Sequence, residues 1–71
     1  MAIFVSGDNS RVESNIVYQI PASGAGVGLS RETNPTNVEI ISNRFDSVSG
    51  TPIRDLNMPG QITRHNFGHV E

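Results

Sequence analysis

The chain of 71 residues contains no cysteine, no tryptophan and no lysine. Without cysteine there is no disulfide to staple a small fold, no thiolate metal site and no cysteine nucleophile. Without lysine the cations are five separated arginines, Arg11, Arg31, Arg44, Arg54 and Arg64, and net charge is −2. No basic run is present to neutralise a phosphate backbone, so nucleic acid is not an expected partner. Leucine is also scarce, with two residues against fourteen valines and isoleucines. This removes much of the usual helix-forming stock, because β-branched side chains are stiff at χ1 and suit a pleated surface. No apolar run approaches the length of a membrane span, and the Met-Ala-Ile-Phe-Val start lacks the charged region of a secretory signal. No membrane partner is expected, and the localisation consistent with this reading is cytoplasmic synthesis or a virion.

Turn formers are plentiful: eight serines, seven glycines, seven asparagines, four prolines and three aspartates separate short apolar runs. Ala2 to Val5 reads as a first strand, closed by Ser6 to Ser10. Arg11 to Ile20 reads as one half-buried strand with Val12, Ile16, Tyr18 and Ile20 on its apolar face. Pro21 ends it, Ala22 to Gly26 form a small-residue loop, and Val27-Gly28-Leu29 form a brief strand. Arg31 to Asn37 is a loop. Val38 to Phe45 is read as a strand; the competing reading is a helix around 37–48, supported by the Thr36/Glu39 capping-box spacing and the Val38, Ile41, Phe45, Val48 periodicity. Asp46 to Pro52 is turn-rich, Ile53 to Leu56 is an edge strand, Met58 to Gln61 is a tight turn, and Gln61 to Phe67 is a last strand. No internal repeat is evident. The expected architecture is all-β, a small sandwich or open barrel of short antiparallel strands completed by neighbouring subunits. The alternative is α+β with the one helix. Residues 1–71 form a single β-rich domain with extended termini.

Candidate chemistry is sparse. His65 and His69 stand four apart, but Gly68 lies between them, no acidic third ligand is near and the segment reads as extended, so a metal site is not expected. They are instead candidates for a pH-sensitive contact. Gly24, Gly26 and Gly28 follow a strand as in a phosphate-cradling loop, yet run into another strand where such a loop would open a helix. Close backbone packing is the expected role. The acids lie singly among turn residues, so no paired carboxylates and no triad can be nominated. The chain reads as non-enzymatic, with no cofactor.

Gly28-Leu29-Ser30-Arg31-Glu32-Thr33-Asn34, followed by Glu39-Ile40-Ile41 and Phe45, resembles the trp RNA-binding attenuation protein family over less than half of the chain. The resemblance implies a small all-β subunit in a ring, with a small ligand between subunits near Ser30, Thr33 and Asn34 and with Arg54 toward nucleic acid. Arg31 falls in the same segment and is a candidate for the ligand or the interface. The lysines used by that family for RNA are absent from this chain. A core of 21 large apolar side chains is thin against the conformational entropy of 71 residues. The leading expectation is therefore a structural or assembly protein, a homo-oligomer or part of a larger protein assembly such as a virion cement or decoration subunit. The alternative is the ring-forming binding protein.

Overall fold

In a computed structural model, which describes residues 1–54 and 56–68, eight short strands follow one another with no helix between them. They are β1 Ile3–Val5, β2 Arg11–Glu13, β3 Ile16–Ile20, β4 Ala25–Leu29, β5 Glu39–Ile41, β6 Arg44–Val48, β7 Thr51–Arg54 and β8 Ile62–Arg64. The all-β class agrees with the sequence reading, and the helix around 37–48 is not formed. The pairing differs. Every ladder is parallel, and the sheet orders are β1-β4-β7, β2-β5-β8 and β3-β6. An antiparallel sandwich or barrel is thus replaced by a coiled path. The chain makes three short strands per circuit, and each circuit stacks on the one before, forming a parallel β-helix. Coil 1 runs over residues 1–24, coil 2 over 25–50 and coil 3 over 51–54 and 56–68.

The corners between strands explain why the path coils. In Arg11 to Ile20, Ser14 takes a left-handed φ of 58° and Asn15 follows it, so β2 and β3 are separate strands on different sheets. The same two-residue corner recurs at Ser42-Asn43, where φ of Ser42 is 58°, and at His65-Asn66, where φ of His65 is 57°. Each corner reverses the inward parity. Val12 and Val17 are buried, while Ile16 and Tyr18 are 66% and 61% exposed, which corrects the single apolar face read for Arg11 to Ile20. The segment Asp46 to Pro52 is also mostly strand, with the turn confined to Ser49-Gly50. The expected turn at Met58 to Gln61 is present: Gln61 N donates to Met58 O at 3.1 Å, and Gly60 supplies the positive φ of 75° that a type II turn requires.

A repeat therefore exists that was not evident in the residues. Val12-Glu13-Ser14-Asn15, Ile40-Ile41-Ser42-Asn43 and Thr63-Arg64-His65-Asn66 occupy equivalent places, and β2-β5-β8 aligns Val12, Ile40 and Thr63. Inside the coils, Ile3, Val27 and Ile53 stack in one column, Val5 and Leu29 in a second, and Val17 and Phe45 in a third. Val27, Val38 and Ile40 in the middle coil are 0% exposed, against 6%, 7% and 5% for Val5, Val12 and Val17 in coil 1. The middle coil is covered on both sides, as nearest-neighbour stacking dictates.

Candidate functional site

Three places could carry function: the residues singled out in the sequence, the outer faces of the sheets, and the two ends of the coil stack. The first group serves local folding. Ser30 is 6% exposed, and its Oγ accepts the N–H groups of Glu32 and Thr33, both at 3.3 Å. Its own N–H donates to Val5 O at 2.8 Å, continuing the ladder to coil 1. Thr33 Oγ1 donates to Ser6 O at 2.6 Å, and Asn34 N donates to Ser30 O at 3.1 Å. This serine turn holds the loop of coil 2 against the shorter loop of coil 1. Arg31 is exposed on that loop. Arg54 ends β7 on the outer face of the first sheet, and His65 occupies the exposed third corner. His69 lies outside the described residues. The structure therefore gathers Ser30, Thr33 and Asn34 into one turn and leaves Arg54 and His65 on separate elements.

The residues that sequence reading missed are the corner asparagines. Asn43 is 1% exposed, and its Oδ1 accepts from Asn15 N at 2.9 Å and Asn15 Nδ2 at 3.0 Å. Its Nδ2 donates to Val12 O at 2.9 Å and Asn66 Oδ1 at 3.1 Å, and its backbone N–H donates to the same Asn66 Oδ1 at 2.9 Å. Asn66 Nδ2 in turn donates to Ile40 O at 2.8 Å. This is a ladder of stacked amides running along the coil axis. It satisfies the backbone groups that the corner withdraws from the β ladder, and an amide carries both the donor and the acceptor needed at each step. The available signal was the spacing Asn15, Asn43, Asn66, each preceded by a left-handed residue, at intervals of 28 and 23 residues.

The outer faces are ordered by the same register. On the first sheet, Phe4, Gly28 and Arg54 form a column. Gly26 is glycine because a Cβ there would collide with Pro52 O and the Phe45 ring, whereas at Gly28 the nearest atoms are the flexible end of the Met1 side chain. Close packing is thus the role of Gly26, and both glycines lie within strand β4. On the second sheet the columns are Arg11, Glu39, Ile62 and Glu13, Ile41, Arg64. Arg11 pairs with Glu39 at 3.3 Å and with Glu13 at 3.6 Å. On the third sheet the column is Ile16, Arg44, Phe67. Arg44 pairs with Asp46 at 2.8 Å and lies 5.7 Å from the Phe67 ring centroid, which accounts for the shallow open depression between Arg44 and Phe67.

Glu13 and Glu39 face Arg11, Asp46 faces Arg44, and Asp8 Oδ1 accepts from Thr36 N at 2.8 Å. Among the described residues no three of His, Cys, Asp and Glu gather as a metal site, and no helix is long and apolar enough to cross a membrane.

The ends of the stack are the third place, and the least ordinary. Among the described residues β1, β2 and β3 are edge strands on one end, and β7, β8 and, beyond the Arg44–Phe67 bridge, β6 are edge strands on the other. Coil 1 shows which backbone groups face outward. Ser30 N donates to Val5 O, Glu39 N to Ser10 O and Arg44 N to Asn15 O, so these residues direct their groups into the stack. Strand alternation then points the N–H and C=O of Arg11, Glu13, Ile16 and Tyr18 away from it. At the other end Ile62 N donates to Val38 O, and Arg64 O accepts from Ser42 N, which turns the groups of Thr63 outward. No known protein family, curated protein or solved structure matches the chain.

Proposed function

We propose that the chain is a non-enzymatic structural subunit that works by assembly, a short β-solenoid that joins other chains through the open ends of its coil stack. The observation that supports this reading is the set of strand edges left unpaired at both ends among the described residues. An edge of outward N–H and C=O groups is a template for another strand, and solenoids ordinarily close it with a polar cap or a covering segment. Coil 1 carries neither a helix nor a charged inward residue to blunt its edge. A particle component, such as a virion cement or decoration subunit, is the concrete role that fits a small subunit of this kind.

Light scattering across a concentration series tests the reading, with rising mass expected. A strict monomer at all concentrations would overturn it. The edge itself is probed by Ile16→Pro, which removes an outward N–H while sparing the ladder to coil 2. Its expected effect is weakened association with retained β-sheet circular dichroism.

A further inference from the structure

The two ends of the stack are not merely open; they complement each other. We propose that the partner of this chain is a second copy of itself, docked head to tail so that coil 1 of one copy lies on coil 3 of the next in the register already used within the chain. This rests on the assembly reading above and adds the occupant and its orientation.

Backbone parity is the first support. Within the chain, Ile40 directs its groups toward coil 3, where those of Ile62 and Arg64 receive them. At the stack ends, Thr63 points outward from coil 3, and Arg11 and Glu13 point outward from coil 1. A second copy set at the same register places Thr63 against Arg11 and Glu13 of its neighbour just as Ile40 lies against Ile62 and Arg64. On the second sheet the parallel ladder then continues without a slip.

The side-chain columns are the second support, and they supply the charge complementarity. Continuing the column Glu13, Ile41, Arg64 by one coil places Glu13 of the next copy directly beside Arg64. Arg11 and Glu39 stand in this same adjacent-coil relation and form an ion pair at 3.3 Å. Arg64 makes no ion pair among the described residues, and neither does Arg54. Continuing the column Phe4, Gly28, Arg54 places the exposed ring of Phe4 next to the Arg54 guanidinium. Continuing Ile16, Arg44, Phe67 places Ile16 next to Phe67, covering two of the most exposed apolar side chains at 66% and 68%. Three columns on three sheets are satisfied by one placement. Glu13 also faces Arg11 of its own coil, so it would bridge two arginines. Such a contact is heterologous and does not close on itself, so it builds open stacks.

The absence of native cysteine makes a cross-linking test direct. Register neighbours in adjacent strands lie roughly 4.8 Å apart, within the span a disulfide bridges. Glu13→Cys and Arg64→Cys are made separately, both at exposed positions, and mixed under mild oxidation. The expected product is a dimer joining one chain of each kind, with little dimer from either variant alone. Dimerisation of Glu13→Cys alone would show that like ends meet; it would overturn head-to-tail stacking and leave the assembly reading intact. A protein that light scattering finds monomeric throughout would overturn both. As a second arm, Arg64→Glu should raise the dissociation constant about three- to tenfold, and adding Glu13→Arg should restore it. Absence of rescue, with association otherwise intact, would also overturn the proposed register.

Discussion

Asparagine divides its seven residues between two backbone roles here. Asn9, Asn34, Asn37 and Asn57 adopt left-handed φ values of 59°, 47°, 56° and 52°, where a short polar side chain lowers the penalty that other L-residues meet. Asn15, Asn43 and Asn66 form the axial ladder. Asn43 is the most committed, because it serves both neighbouring coils from a fully buried place. Replacing it with alanine strands the Asn15 N–H and removes the side-chain donor from Val12 O; at about 1–3 kcal/mol for an unsatisfied buried group, Asn43→Ala should cost about 1–3 kcal/mol in urea unfolding. Asn43→Asp should be comparably harmful, since a carboxylate accepts from Asn15 but cannot donate to Val12 O and places charge in the interior. These roles were hidden in the sequence because asparagine is common in loops, and nothing local distinguishes a stacked amide from a solvated one.

Individual strands were largely legible and their faces were not. The β-branched runs at Ile3–Val5, Ile16–Ile20 and Glu39–Ile41 lie where valine and isoleucine concentrate. Arg11 to Ile20 was misread because its period-2 pattern extends through Ser14-Asn15, and a corner of two residues leaves the alternation of small and large side chains superficially intact. The structure inverts the burial of the second half, which gives a sharp contrast. Val17→Ala, at a 5% exposed position packed with Phe45, should destabilise by about 1–3 kcal/mol. Tyr18→Ser, one residue on and 61% exposed, should change stability by about 0.5 kcal/mol or less. Chemical denaturation of the two variants checks the assignment; equal effects would restore the continuous-strand reading.

For the whole molecule, stacking makes stability a sum of coil and interface terms, with the middle coil held on both sides. Amide hydrogen exchange should reveal this as an alternation. In dilute protein, Val12 and Val17 should be protected, whereas Arg11, Glu13, Ile16 and Tyr18, whose N–H groups face off the end, should exchange rapidly. Raising the concentration should slow the second group if copies stack. Uniform protection of all six in the monomer would mean that the end is covered within the chain. The repeat underlying this architecture escaped the sequence because successive coils differ in length: register partners are 28 residues apart from Arg11 to Glu39 and 23 from Glu39 to Ile62. The variation is taken up in the loop before each second-sheet strand and in the turn from the third sheet back to the first, while the corner stays at two residues.

What the amino-acid sequence determined by itself was conformational preference. β-branched residues without leucine or lysine dictate strands, and serine, glycine and asparagine dictate where they stop, because these are local steric properties of each residue. What only the tertiary structure decided was partnership: parallel pairing between strands more than twenty residues apart, the burial of Val17 over Tyr18, and the alignment of Asn15, Asn43 and Asn66. Those depend on left-handed corners at Ser14, Ser42 and His65 that turn each strand onto a new sheet, and a corner's effect is visible only once the coil above it is in place.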